Sequence, residues 1–132
     1  MLVKNIVRAA LWLVLAFGLL SGLRLSYLTL TSGPACPNVG PVYICHIISL
    51  SYFTMCLAQF GNFQWNKTLF YTGWVVTFVI AALASVLELI NGGTCPRTAD
   101  GLPLCYISLA LCLAIIALYR VQSIGSKKLI SK

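Results

Sequence analysis

Four of the six cysteines lie in two short segments that are rich in proline and glycine. Cys36 and Cys45 bracket the first segment, and Cys95 and Cys105 bracket the second. Thiols at this spacing can close a small loop as a disulfide, which stabilises a fold by up to about 3 kcal/mol. Four cysteines allow three connectivities. The repeated arrangement favours Cys36–Cys45 and Cys95–Cys105.

Two interpretations of these cysteine pairs stay open. In the first, they are inert staples that hold the end of one helix to the start of the next. In the second, one or both pairs exchange electrons with thiols of a partner, which requires an accessible sulfur and a stabilised thiolate. A proline follows both Cys36 and Cys95, and we expect it to keep each loop open next to that cysteine. The start of a helix at Cys45 or Cys105 would favour a thiolate through its positive end.

The two remaining cysteines and the single histidine are expected to have structural roles. Cys56 follows Cys45 by 11 residues and Cys112 follows Cys105 by seven, so at about 100° per residue each returns to nearly the same helix face. We expect both to be buried thiols that pack in the interior. His46 is expected to be a hydrogen-bonded residue that supports its neighbour Cys45. These spacings match no zinc, haem or iron–sulfur signature, so no metal site is predicted.

Arg24 and Glu88 are the two charged residues inside long apolar runs. A charge at the centre of a bilayer costs roughly 2.5–3.5 kcal/mol, although a long side chain near the headgroups avoids much of this cost. The favoured hypothesis is an ion pair that locks the first helix to the third, so that Glu88→Gln would leave Arg24 poorly compensated. The alternative is a pocket for a quinone, a lipid or a substrate.

The elements that position these residues are four apolar runs of about 18 to 22 residues, close to the roughly 20 that a helix needs to cross a bilayer. Of the 132 residues, 60% are hydrophobic and 8% are charged, and the mean hydropathy is +0.94. Backbone amides in lipid must be paired within the segment, so such runs must be helices. The sequence predicts a single all-α integral membrane domain with helices at about Ala9–Leu30, Val42–Phe60, Leu69–Ile90 and Leu102–Tyr119.

The links between these runs are short and polar, so consecutive helices should pack as antiparallel neighbours. The two halves share a pattern in which a Gly-rich turn precedes Cys-Pro, and a second cysteine opens the next helix. This predicts an internal repeat of two similarly oriented hairpins, 1–60 and 69–119, followed by a basic tail, 120–132. Gly18 and Gly22 form a G-x-x-x-G pattern that permits close helix contact, within the monomer or with a partner.

Basic residues are distributed unequally between the two sides of the predicted helices. Seven lie on one side and Arg97 lies in the opposite loops, which predicts cytoplasmic termini and extracytoplasmic cysteine loops. The seven are Lys4, Arg8, Lys67, Arg120, Lys127, Lys128 and Lys132. The net charge of +7 is therefore assigned to lipid headgroups, and no nucleic acid partner is expected. Partner proteins would be membrane or extracytoplasmic proteins.

Two acidic residues in the whole chain nearly exclude mechanisms that depend on carboxylates, such as those of hydrolases and kinases. Two hypotheses of function remain. The first, which is favoured, is a membrane thiol–disulfide redox protein that passes electrons between its outer cysteines and a quinone, the one cofactor considered. The second is a non-catalytic accessory or structural subunit of a membrane complex, stapled by its disulfides.

The plan of four helices with paired outer cysteines resembles the membrane thiol oxidoreductases of the disulfide-bond-formation-protein-B and vitamin K epoxide reductase kind. That resemblance implies a quinone-coupled redox function. Those families carry a C-x-x-C beside the quinone pocket, and this sequence contains none. The resemblance is therefore architectural, and it transfers no catalytic residue to this chain.

Overall fold

The computed structural model describes residues 2–33, 38–60, 65–93 and 95–130, and over these residues the fold is helical apart from one small β-hairpin. The elements are α1 (Leu2–Ser32), β1 (Asn38–Val39), β2 (Val42–Tyr43), α2 (Ile44–Phe60), α3 (Asn66–Asn91) and α4 (Leu104–Ile130). The prediction of an all-helical chain with four helices is confirmed. Helices α1, α3 and α4 are long and apolar enough to cross a bilayer, and α2 is a shorter apolar helix of 17 residues.

The helix ends differ from the prediction at both termini. Helix α1 begins at Leu2 rather than Ala9, and α4 continues to Ile130 rather than ending at Tyr119, so it takes in most of the predicted tail. The prediction followed apolar residues, whereas a helix ends only where a strong breaker or a loss of packing ends it. Lysine, arginine and glutamine are good helix formers, so the basic segments continue the helices.

The four helices form an antiparallel bundle in which each packs on two neighbours. Helix α1 contacts α2 and α4, and α3 contacts the same two helices, so α1 and α3 lie diagonally opposite each other. The contacts between α1 and α2 show that these two helices run in opposite directions. Trp12 packs on Phe60, with ring centroids 4.6 Å apart, and Ser26 lies 3.4 Å from Ser49 between hydroxyl oxygens.

The same reversal relates α3 to α4. Phe70 stacks on Tyr119 with ring centroids 4.0 Å apart, and the indole N–H of Trp74 donates to the carbonyl of Cys112 at 2.8 Å. The starts of α1 and α3 and the ends of α2 and α4 therefore share one end of the bundle, here called the basic end. The opposite end, with residues 38–43 and 95–105, is called the disulfide end.

The two predicted hairpins pack together in one bundle. Helices α2 and α3, which were assigned to different hairpins, share the most extensive interface in the bundle. Each loop at the disulfide end contains antiparallel pairing. Strand β1 pairs with β2 around Gly40, whose φ of 65° lies in the left-handed region that glycine tolerates, and Arg97 pairs with Pro103 in the second loop.

Large side chains fill the bundle interior at the centre and toward the basic end. The buried cluster comprises Leu11, Leu15, Tyr52, Met55, Cys56, Ala58, Phe70 and Ile115. Toward the disulfide end the inward stripes change to small residues, which are Gly18, Gly22, Ser26 and Thr29 on α1 and Thr77, Ala81 and Ser85 on α3. The bundle interior is therefore filled by smaller side chains toward the disulfide end.

Several buried hydroxyls in this half are paired within their own helices, and the Ser26 hydroxyl lies against that of Ser49 on α2. Thr29 donates to the carbonyl of Leu25 at 2.8 Å, and Ser85 donates to that of Ala81 at 2.7 Å. Ser49 and Thr77 make the same contact one turn back, at 2.8 and 3.0 Å. A buried hydroxyl without a partner is costly, and these bonds remove that cost without help from another helix.

The G-x-x-x-G pattern of α1 packs inside the monomer. Gly18 faces the Tyr52 ring so closely that an added Cβ would lie 2.5 Å from Cε1, and at Gly22 it would lie 2.8 Å from the Ser49 hydroxyl. Gly73 on α3 approaches the backbone carbonyl of Ser51 in the same way. Of the two alternatives left by the sequence, the glycines serve contact between α1 and α2.

The outer surface of the bundle is strongly apolar. All four helices expose large hydrophobic side chains along most of their length, among them Leu13 and Phe17 on α1, Phe53 on α2, Leu83 on α3 and Leu113 on α4. Soluble monomers rarely expose apolar patches of more than a few hundred Å². Together with the length of the apolar helices, a surface of this kind suggests a membrane location.

Candidate functional site at the disulfide end

The predicted Cys95–Cys105 disulfide is present. It joins the loop after α3 to the first turn of α4, with Cα atoms 6.2 Å apart. Cys95 is 6% exposed and its sulfur lies 3.9 Å from the carbonyl of Ala84, whereas Cys105 is half-buried. Cys105 is therefore the less buried residue of the pair.

The first cysteine pair is described only in part. Cys45 is buried in the first turn of α2 and is disulfide-bonded. Cys36 belongs to residues 34–37, so the predicted Cys36–Cys45 pairing lies outside the described residues.

Glu88 organises the loop that carries Cys95. Its carboxylate is almost fully buried in the last turn of α3 and accepts the backbone N–H of Gly93 at 3.1 Å and that of Cys95 at 3.0 Å. The guanidinium of Arg97 approaches the same carboxylate at 3.4 Å. A negative charge at a helix C-terminus opposes the helix dipole. The two backbone N–H groups and the guanidinium of the following loop offset this unfavourable interaction.

The structure does not bring Arg24 and Glu88, both of which it describes, together. Glu88 is paired with Arg97, and Arg24 is exposed on α1. The physical reason is the arrangement of the helices, because α1 and α3 are diagonal in the bundle and a residue on the outer face of α1 cannot reach the interior of α3.

Hydrogen bonds within the loop hold Cys95 and Cys105 at the right separation. The Thr98 N–H donates to the Leu102 carbonyl at 2.9 Å, and the Gly101 N–H donates back to Thr98 at 2.9 Å. The Leu104 N–H then donates to the Pro96 carbonyl at 3.1 Å, at the start of α4. The loop is thus a closed turn with its own hydrogen bonds. The Cys95–Cys105 disulfide joins its two ends, and the Glu88 carboxylate holds its backbone near Cys95.

Cys56 and Cys112 are free and buried in the bundle interior. Cys112 has no exposed surface, and its side chain meets the phenol of Tyr52 across the bundle. His46 lies near the start of α2, where its ring packs edge-on against Tyr43 with centroids 5.9 Å apart. Among the described residues, no three side chains of the metal-ligating types cluster.

Arg97 is the residue at this site that the sequence analysis missed. It had been counted only as a basic residue in an outer loop. A signal existed, because an acidic residue in the last turn of a helix needs donors from the segment that follows, and Arg97 is the first charged residue after Glu88.

No protein-family model, curated protein or solved structure is significantly similar to this chain. The kind of site is therefore described from its geometry alone. It is a closed, disulfide-fixed loop anchored to a buried carboxylate, at the disulfide end of an apolar four-helix bundle.

Proposed function

We propose that this chain is an integral membrane protein with four transmembrane helices, cytoplasmic termini and extracytoplasmic cysteine loops, arranged as two repeated hairpins. Its support is the apolar outer surface together with the charge distribution. Lys4, Arg8, Lys67 and Arg120 belong to the basic end of the bundle, whereas the closed loops belong to the opposite end. Basic residues that flank helices remain on the cytoplasmic side.

A reporter fused to either terminus tests this orientation. We expect a fluorescent protein, which fluoresces only in the cytoplasm, to fluoresce at both termini, and alkaline phosphatase to be inactive there. A fusion after residue 100 should reverse both results. Active phosphatase at the C-terminus would contradict four spans with cytoplasmic termini, and release of the chain from membranes by alkaline carbonate would contradict insertion itself.

Within the membrane, we infer that the chain is a non-catalytic accessory or structural subunit, whose disulfides fix the shape of its outer loops. One observation carries this proposal: Cys95 is buried, in a loop whose backbone Glu88 holds in place. Thiol–disulfide exchange needs a sulfur that an incoming thiolate can approach in line, and a buried sulfur resists it. The partner of such a subunit would be a membrane or extracytoplasmic protein.

A second candidate is a thiol–disulfide redox protein that passes electrons to a membrane quinone. The observation in its favour is Cys105, which is half-buried in the first turn of α4, where the positive end of the helix would stabilise its thiolate once the pair is reduced. One thiolate of an external dithiol would attack the Cys105 sulfur, and Cys95 would leave as a thiolate. The second external thiol would then release reduced Cys105 as the external pair becomes a disulfide, and a quinone would take up two electrons and two protons as the Cys95–Cys105 bond re-forms.

Thiol trapping in native membranes distinguishes the two candidates. Membranes are treated with mild reductant, quenched in denaturing detergent with a maleimide, and mapped by mass spectrometry. If the disulfides are staples, Cys95 and Cys105 stay unlabelled. The free thiols Cys56 and Cys112 label in the same sample, which makes them internal positive controls. Labelling of Cys95 and Cys105 after mild reduction would favour the redox candidate and call for a quinone-reduction assay.

A further inference from the structure

The outer face of α3 carries a shallow groove at the basic end of the bundle. Its lining changes along the helix from polar to apolar, and consists of Lys67, Thr68, Tyr71, Thr72, Val75 and Val76. The ammonium of Lys67 and the hydroxyls lie near the start of α3, and the two valines lie about 12 Å further along the helix axis. A single ligand that fills this groove must therefore be amphipathic, with an anionic head.

One of the residues that line the groove is held rigidly. Tyr71 packs edge-on against Phe70 and Tyr119, with ring centroids 6.2 and 5.6 Å apart. Phe70 is fully buried and stacks on Tyr119, so the three rings form a fixed aromatic cluster between α3 and α4. A side chain that is already fixed lowers the cost of ordering a flexible ligand against it.

The position of the groove matches the boundary between headgroups and hydrocarbon. Trp65 precedes α3 and is 70% exposed, and tryptophan is enriched at that boundary in membrane proteins. Lys67 lies two residues further on, within the headgroup layer, while Val75 and Val76 lie at the depth of acyl chains. This alignment rests on the proposed membrane orientation.

We propose that this groove binds one anionic phospholipid of the cytoplasmic leaflet, with its phosphate against Lys67 and an acyl chain along Val75 and Val76. Charge complementarity selects the head, because a lysine near the membrane surface favours anionic lipids. The apolar end of the groove selects a lipid over a free phosphate. The site thus uses a surface of α3 that the packing of the bundle leaves uncovered.

Native mass spectrometry of the full chain in detergent tests the proposal. Phosphatidylglycerol or phosphatidylcholine is added at equal concentration, and lipid-bound species are quantified. We expect the apparent Kd for phosphatidylglycerol to be about fivefold lower, the preference that one lysine near the surface supplies. Lys67→Gln should abolish this preference, whereas Lys4→Gln, which removes an equal charge from the same end but outside the groove, should preserve it.

Two further arms examine the apolar part and the source of the phosphate. Val76→Trp should fill the groove and reduce binding of both lipids, with circular dichroism used to verify that the helices are intact. Glycerol 3-phosphate, the headgroup without chains, should not displace bound phosphatidylglycerol. Displacement by it, equal binding of both lipids by the parent, or equal loss in Lys4→Gln and Lys67→Gln would overturn the proposal.

These outcomes are separable from those of the topology experiment. The lipid assay is performed in detergent on the purified chain and reads binding alone. If the reporters show insertion and no lipid preference appears, only the groove proposal fails. If the reporters show no insertion, the orientation fails, whatever the lipid assay gives.

Discussion

Replacing Glu88 with glutamine is expected to lower the free energy of unfolding by about 1–3 kcal/mol, the cost of leaving a buried donor unsatisfied. One carboxylate oxygen becomes an NH₂ group, which would face either the Gly93 or the Cys95 N–H, and two donors cannot pair. The side chain is buried, so water cannot readily replace the lost bond. The same change should make the Cys95–Cys105 disulfide easier to reduce, because the loop around Cys95 loosens.

The matched control is Asp100→Asn, which removes the same charge from an exposed residue of the same loop. We expect it to stay within about 0.5 kcal/mol of the parent, as exposed substitutions usually do. Arg97→Gln should cost no more than about 1 kcal/mol, because the Arg97 side chain is 56% exposed. Unfolding in mixed micelles, followed by tryptophan fluorescence, measures all three variants.

An Arg24→Gln variant distinguishes two roles of Glu88: anchoring its own loop, and forming the ion pair with Arg24 that the sequence predicts. If Arg24 and Glu88 were partners, Arg24→Gln would destabilise about as much as Glu88→Gln. The exposed position of Arg24 predicts a change near zero instead. Equal effects of Glu88→Gln and Asp100→Asn would show that the carboxylate does not anchor the loop.

The second large effect is expected at Gly18, where alanine should destabilise by about 1–3 kcal/mol through overpacking. The new Cβ would lie 2.5 to 2.9 Å from three atoms of the Tyr52 ring, and that ring is 3% exposed and confined by the core. Local propensity predicts the opposite sign, because alanine in a helix interior is favoured over glycine by up to about 1 kcal/mol. The sign of the change therefore decides between local and tertiary control.

A double-mutant cycle with Tyr52→Leu attributes the effect to that contact. In the Tyr52→Leu background, Gly18→Ala should cost clearly less, because the ring that meets the Cβ is gone. Gly22→Ala provides a graded comparison, since its Cβ meets chiefly the Ser49 hydroxyl, a single small group that can rotate. A stabilising Gly18→Ala in the parent chain would contradict the close contact between α1 and α2.

Local features of the sequence were enough to predict the helices and their neighbours. The apolar runs and the Pro- and Gly-rich breaks located four helices, and the ends of α2 and α3 at the basic and disulfide ends were predicted within one residue. The repeated spacing of the cysteines was enough to predict the Cys95–Cys105 disulfide, because closing a loop of this length depends on local geometry. Composition alone failed at Leu2 and Ile130, where polar helix formers extend α1 and α4.

Only the tertiary structure decided which side chains meet. Glu88 and Arg24 are both charges within apolar runs, and the sequence contains no information on which helices are diagonal in the bundle. Glu88 turns inward and is bound by its own loop, whereas Arg24 turns outward. Gly18 and Gly22 pack against Tyr52 and Ser49 of the same chain. This contact depends on how α1 is rotated about its axis. Helices form from local hydrogen bonds, but their rotation and pairing depend on the packing of the whole bundle.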